Sequence, residues 1–360
     1  MRAYLDHNAT SPLRPEVKAA MAAAMDVAGN PSSVHGEGRA ARKLMDDARA
    51  SLAFKLGCLP QMITFTSGGT EANNMAIRGV DAKRILVSAI EHPCVLAAAK
   101  STGKTLEIIP VDEHGRVRLE VLEGMLNGPK ALISVMHANN ETGVIQDIHA
   151  IAQMTQKTEH LLHVDAVQSF GKNPVNFGLL SVDMLTIAAH KVGGPKGIGA
   201  LVIRDGLVVE PLLQGGGQEL RRRAGTENIL AIAGLGALAS LENIACDDLT
   251  DQLSHGLEGC EIFSNSRARL NNTTCFAMPA MNAEAALMNF DLEGIAVSSG
   301  SACSSGKVGR SHVLEAMGVA PHISANAIRV SMGWNTTAQD ITHFIAVWRK
   351  LNQRAKAKAA

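Results

Sequence analysis

Between residues 62 and 204 the chain repeats one pattern, a short run rich in Val, Ile and Leu followed by a stretch of helical length. The runs are MITFTSGG (62–69), RILVSAIEH (84–92), LEIIPVD (106–112), ALISVMHANN (131–140), LLHVDAVQS (161–169), DMLTIAAHK (183–191) and GALVIR (199–204). Several are continuous apolar runs rather than alternations, which is how strands read when a mostly parallel sheet buries both their faces. Stretches between them, such as HPCVLAAAKSTG and DIHAIAQMTQKTEH, are long enough for crossover helices. The pattern predicts an α/β fold with about seven strands in a mostly parallel sheet and helices on both faces.

After the Ala/Leu-rich segment LAIAGLGALASLENI (230–244) the pattern changes, near residue 255, to strands mixed with helices: TTCFAMP, AVSSGSAC, NAIRVSMG and DITHFIAVWRKLNQ. A smaller α+β C-terminal domain is expected there. The division reads as a large domain over 15–255 and a small one built from 1–14 and 256–360, with a loop at about 298–312. That loop, SSGSACSSGKVGRSH, holds six Ser, three Gly and Cys303, with almost nothing to anchor it in a core, so it reads as mobile.

Balanced charge, 34 Lys+Arg against 34 Asp+Glu, gives no electrostatic reason to expect nucleic acid or an anionic membrane as partner. The opening MRAYLDHNATSPL lacks a signal-peptide core and no run is long enough to span a bilayer, so the cytoplasm is the expected compartment. The six cysteines, at 58, 94, 246, 260, 275 and 303, show neither CxxC pairs nor Cys/His metal spacing. A disulfide scaffold and a stable metal site are therefore not expected, and most of the six read as inert small hydrophobes.

The chemistry gathers at the ends of the apolar runs, where open α/β sheets place their ligand crevices. In TFTSGGTEANN, Gly68 and Gly69 allow close backbone approach, and Thr70 with the helix N-terminus offers donors to a phosphate, although such a turn also occurs simply as a tight turn. Asp165 ends a buried run and reads either as a functional carboxylate or as a helix cap for the next segment. His190 and Lys191 end another run before a Gly/Pro turn, where a lysine is ordinarily a surface residue. Together, a phosphate cradle, a buried Asp and a strand-end Lys form a pyridoxal phosphate set: the Lys carries the cofactor, the Asp keeps its pyridine nitrogen protonated, and the helix end takes its phosphate.

The chain resembles the cysteine desulfurases of the NifS/IscS type, in the class V aminotransferase branch of fold-type I pyridoxal phosphate enzymes. The resemblance runs from YLDHNATSPL at residue 4 to IRVSMG at 328–333 and is carried by TSGGTEANN, EHPCVL, NNETGVIQDI, VDAVQSFGK, HKVGGPKGIGAL, GGGQELRRRAGTEN and SSGSAC, in the family's order. It implies that Lys191 holds pyridoxal 5′-phosphate and shuttles protons, that His92 stacks on the ring, and that Asp165 and Gln168 meet the ring nitrogen and hydroxyl. Gly69, Thr70, Ala188, Ala189 and His190 would line the cofactor and its phosphate, with Thr226 reaching across from the other subunit of a homodimer. Asn140 and Arg329 would receive the substrate carboxylate, for which a guanidinium fork is a natural partner, though an Arg in such a strand could equally pair with a structural carboxylate.

The implied reaction converts L-cysteine to L-alanine and leaves the sulfur on Cys303 as a persulfide, which passes to an acceptor such as an iron–sulfur scaffold protein. Lys307 and Arg310 lie near enough in sequence to favour a Cys303 thiolate. GGGQE and RRRAGTEN lean toward the nitrogen-fixation subgroup. One position departs from the family: a phosphate-binding serine is usual three residues before the lysine, and this chain has Ala188. The rival readings are a selenocysteine lyase, a class V aminotransferase, for which Cys303 would be idle, and a non-enzymatic assembly scaffold. Cys303 as a transient iron–sulfur ligand is a further alternative, weakened by the lack of companion thiols in the loop.

Overall fold

The computed structural model describes residues 2–257, 259–265, 268–278, 281–300 and 310–359. Cys303 and Lys307, and with them the centre of the segment expected to carry the nucleophile, lie outside the described residues.

Twelve strands occur among the described residues: β1 (Ala3–Tyr4), β2 (Ile63–Thr66), β3 (Arg84–Ser88), β4 (Thr105–Ile109), β5 (Ala131–Met136), β6 (Leu161–Asp165), β7 (Met184–Ala188), β8 (Gly199–Ile203), β9 (Thr273–Ala277), β10 (Ile295–Ala296), β11 (Ser298–Ser299) and β12 (Ala327–Ser331). Seven of them form one sheet in the order β2-β8-β7-β6-β5-β3-β4. Only β8 runs against the others, pairing antiparallel with both β2 and β7. The seven apolar runs of the sequence are these seven strands.

Side chains inside each run sort by parity to two cores, which is why the runs read as continuous. Leu86, Ile133, Leu185, Ile187 and Val202 face one core, shared with Met45 and Leu52 of the helix Gly36–Leu56 and with Ile148 and Ile151 of the helix Ile148–Thr155. Ile85, Val87, Leu132, Met184 and Leu201 face the other, against Met75 and Ile77 of the helix Gly69–Arg78 and Val95 and Ala98 of the helix Pro93–Ser101. Helices thus cover both faces, as a sheet with no polar face requires.

A second, antiparallel sheet has the order β11-β12-β9. Beside it Phe344 of the long helix Ala338–Ala359 stacks on Phe290 of the helix Ala283–Leu292 at 5.1 Å between ring centres, and meets Phe276 of β9 edge-on. The first residues of the chain join this part: β1 pairs in parallel with β10, and Asp6 bridges to Ser331. The same N-terminal segment then crosses to the large sheet, where Ser11 N–H donates to the His190 carbonyl.

Candidate active site

The parallel strands β2, β3, β5, β6 and β7 end on one edge of the sheet, and the loops leaving them enclose a cavity of about 260 Å³. Its walls include Gly69, Thr70 and Asn73 after β2, His92 and Cys94 after β3, and Asn140 after β5. Asp165 and Gln168 of β6 and its loop, and Ala188, His190 and Lys191 from β7, also line it. All of these except Asn73 and Cys94 are residues singled out in the sequence, and the fold brings them together.

β2 passes directly into the helix Gly69–Arg78, whose N-cap, Gly68, offers no side-chain cap. The first-turn N–H groups are therefore open to an anion at the positive end of the helix dipole. Gly69 is required by the space: a Cβ there would stand 2.8 Å from Val167 Cγ2 and 3.6 Å from Ala188 Cβ. Glu71 steadies the turn by accepting from Ser67 N–H at 2.8 Å and from Arg223 Nε at 2.9 Å.

Asp165, at the end of β6, is buried and accepts from Val167 N–H at 2.9 Å and from Asn73 Nδ2 at 2.7 Å. It caps its own loop, as the plainer reading allowed, and it also reaches the cavity. Burial pushes its carboxyl up against these two donors, and no cation forms an ion pair with it among the described residues. Asn73 Oδ1 is likewise buried without a hydrogen-bond partner among the described residues.

His92 caps the helix Pro93–Ser101: its Nδ1 accepts from Cys94 N–H at 3.2 Å. Burial lowers its pKa, with the Lys191 charge acting in the same direction and Asp165 opposing. With Nδ1 accepting, Nε2 is the nitrogen that can carry the ring proton. Lys191 ends the 3-10 turn Ala189–Lys191 that follows β7, and its Nζ donates to the carbonyls of Asn8 at 2.8 Å and Ala9 at 3.0 Å. His190 stands 3.3 Å from Thr10 Oγ1 and is pushed down to about 4 by burial. Gln168 donates from Nε2 to the Asn8 carbonyl at 3.1 Å.

Three expected residues are not on the cavity wall. Ala189 is buried behind it. Thr226 is exposed, where a contribution to a second subunit would have to lie. Arg329 is almost fully buried on β12, with Nη2 on Asp6 at 2.8 Å and Nη1 on the Asn140 carbonyl at 3.0 Å, so it touches the wall through Asn140.

The sequence reading passed over Asn73 and Cys94. A polar residue between Ala72 and Met75, on the helix face turned to the sheet, is the signal that could have found Asn73. Cys94 gave none, and burial pushes its thiol up to about 11, away from a reactive thiolate.

These residues fit pyridoxal phosphate. A buried carboxylate with only neutral hydrogen-bond donors suits a protonated ring nitrogen, the uncapped helix start and the tight Gly69 suit a phosphate, and Lys191 lines the same cavity.

Comparison with known proteins agrees. The Aminotransferase class-V family matches residues 3–344. A relative from Dictyoglomus turgidum, Cysteine desulfurase IscS, is 39% identical over 374 aligned positions, covering 98% of this chain and 95% of that protein. The solved NifS-like protein from Rickettsia africae shares 39% identity at a TM-score of 0.89, covering 98% of this chain and 100% of the other. SspA, solved in complex with cysteine, shares 32% identity at a TM-score of 0.83, covering 92% and 98%. The chain belongs to the class V aminotransferase family and, by likeness along its whole length, to the cysteine desulfurases within it.

Proposed function

We infer that the protein is a pyridoxal-phosphate-dependent cysteine desulfurase that takes the sulfur of L-cysteine onto its own Cys303 and releases L-alanine. The observation that carries this reading is the convergence of Lys191, Asp165, His92 and the Gly69 turn on one cavity. When bound, pyridoxal phosphate supplies an electron sink conjugated to the substrate amino group.

The chain's residues do the rest. Gly69, Thr70 and the open helix start hold the phosphate, with His190 beside them. Asp165 keeps the ring nitrogen protonated, and Gln168 donates to the ring hydroxyl. His92 would stand against the cofactor ring, its Nδ1 held by Cys94 N–H. Lys191 would hold the cofactor, and its amine is the base that would take the Cα proton of L-cysteine and return a proton to the product. The two carbonyls that hold its Nζ, from Asn8 and Ala9, set the direction of that transfer. Asn140 and Arg329 orient the substrate carboxylate, the Arg steadied by Asp6. The Cys303 thiolate attacks the substrate sulfur: the carbon–sulfur bond breaks, a sulfur–sulfur bond forms, and cysteine plus enzyme thiol become alanine plus enzyme persulfide.

The same proposal includes a homodimer in which the exposed Thr226 completes the partner's phosphate site, and a large unit over 15–255 with a smaller one over 1–14 and 256–360. An iron–sulfur scaffold protein in the cytoplasm takes the sulfur, with nitrogenase maturation as the specialised form of that role. No helix among the described residues is long and apolar enough to cross a membrane.

The test is incubation with L-cysteine, measuring alanine and sulfide, followed by mass spectrometry of the protein. Alanine release with a persulfide on Cys303 is expected, and loss of both in Lys191→Ala. Undiminished alanine release by Cys303→Ala would remove persulfide chemistry from the account. Turnover of selenocysteine far above that of cysteine would move the reading to a selenocysteine lyase.

A further inference from the structure

Seven residues beyond Asp165, in the loop that carries Gln168, a lysine is buried. Lys172 is 5% exposed, and it forms no ion pair with a carboxylate among the described residues. Its Nζ donates to two neutral oxygens, Gln168 Oε1 and Asn8 Oδ1, each at 2.8 Å. The charged groups nearest in effect are Lys191 and Arg329, both of its own sign, with the Cys246 thiol opposing them and His7 also within its field. Burial, with the Lys191 and Arg329 charges adding to it, pushes its pKa well down, so a charged amine is costly to keep there.

The hydrogen bonds show what it holds. Gln168 has one orientation that satisfies both neighbours, with Oε1 on the Lys172 donor and Nε2 on the Asn8 carbonyl, which can only accept. One N–H of Nε2 is used there, and the other remains for the cavity that Gln168 lines. Asn8 is the second thing held. Its Oδ1 takes Lys172, and its carbonyl takes both Gln168 and the amine of Lys191.

We propose that Lys172 is a positioning residue of the cofactor site, which locks the Gln168 amide with its donor toward the cavity and fixes the Asn8 carbonyl that orients Lys191. The proposal rests on the functional reading above, in which Gln168 donates to the ring hydroxyl of pyridoxal phosphate. Without Lys172 the amide keeps only its bond to the Asn8 carbonyl, and the donor is held toward the cavity less firmly.

The full-length enzyme, dialysed to equilibrium against fixed concentrations of pyridoxal phosphate, tests this with Lys172→Met, Gln168→Ala and the double variant. Two quantities are read, the cofactor Kd and the apparent pKa of the bound cofactor's visible absorption band. Each single variant should raise Kd about tenfold, the worth of one hydrogen bond to a charged or strongly polar group, and should raise the apparent pKa because an anionic ring oxygen loses a donor. The double variant should be no worse than Gln168→Ala alone. The cofactor-free Tm of Lys172→Met should hold or rise, since an apolar side chain replaces a buried ammonium.

If Gln168→Ala moves both quantities and Lys172→Met moves neither, or if the two effects add, Lys172 does not position Gln168 and the functional reading stands. If Gln168→Ala moves neither, the assignment of Gln168 to the cofactor fails. Should Lys172→Met not fold, Gln168→Glu reads the same contact: its carboxylate pairs with Lys172, so the cofactor-free Tm should rise while Kd weakens as in Gln168→Ala. A Tm that stays level or falls would overturn the contact.

Discussion

Ala188 lies on the cavity wall 3.6 Å from where a side chain on Gly69 would begin, beside the proposed phosphate cradle. A hydroxyl there would add a donor, and a hydrogen bond to a charged group is worth about 1.5 to 3 kcal/mol. Ala188→Ser should therefore tighten cofactor binding by roughly ten- to a hundredfold, measured by equilibrium dialysis. An unchanged Kd would mean that another group already fills the place. Glu91, next to His92, gives a second prediction. It is fully buried, its Oε1 accepts from Ser88 and from Met136 N–H, and its Oε2 has no partner among the described residues. Burial pushes it up to about 8, with Asp165 adding to the effect. Between the usual carboxylate range and pH 8 the folded protein then binds the extra proton, so its contribution to stability is present at low pH and lost as pH rises. Glu91→Gln should match the wild type near pH 5 and exceed it in Tm at pH 8 to 9; a constant difference across that range would show that Glu91 is ionised throughout.

The turn between β2 and the helix Gly69–Arg78 depends on its second glycine. Gly69→Ala places a Cβ 2.8 Å from Val167 Cγ2, so the helix start must shift and the cofactor Kd should rise. Removing the obstacle in Gly69→Ala with Val167→Ala should restore much of the affinity, whereas a double variant no better than the single would place the cause elsewhere. Elements of this kind were legible in the sequence because strands buried on both faces are largely apolar, and because Gly, Asp, His and Lys, each with an ordinary use alone, recur together at the ends of such runs. What the sequence hid was of another sort. The carbonyls of Asn8 and Ala9 hold Lys191 through main-chain atoms that carry no side-chain signal. Arg329, read either as a receiver of the substrate carboxylate or as the partner of a structural one, is tied to Asp6, and only the fold reveals that carboxylate's place in a distant segment. Glu219, Leu220 and Arg221 take positive φ of 44°, 58° and 64° without a glycine, a conformation local preference argues against.

The reason for that strained stretch lies at the scale of the whole molecule. Glu219 is buried against Arg49 in a two-pronged pair at 2.9 and 2.6 Å and accepts Phe65 N–H at 2.7 Å. Arg49 also lies over the Phe65 ring. One carboxylate thus joins the helix Gly36–Leu56, the strand β2 that leads to the phosphate turn, and the segment that continues to Thr226. Glu219→Ala leaves Arg49 buried and unpaired and should cost about 3 to 5 kcal/mol, read by denaturant unfolding of the cofactor-free protein; a loss below about 1 kcal/mol would place this pair with ordinary surface ion pairs. The N-terminal segment has a consequence of a different kind. Its first strand pairs with residues 295–296, Asn8 N–H donates to Ser331 Oγ, and its carbonyls grip Lys191. Residues 3–9 therefore link two sheets that lie far apart in the sequence, and their hold on Lys191 depends on contacts made near residues 295 and 331. A disturbance of β12 far from the cavity would thus reach the lysine through the backbone of Asn8 and Ala9.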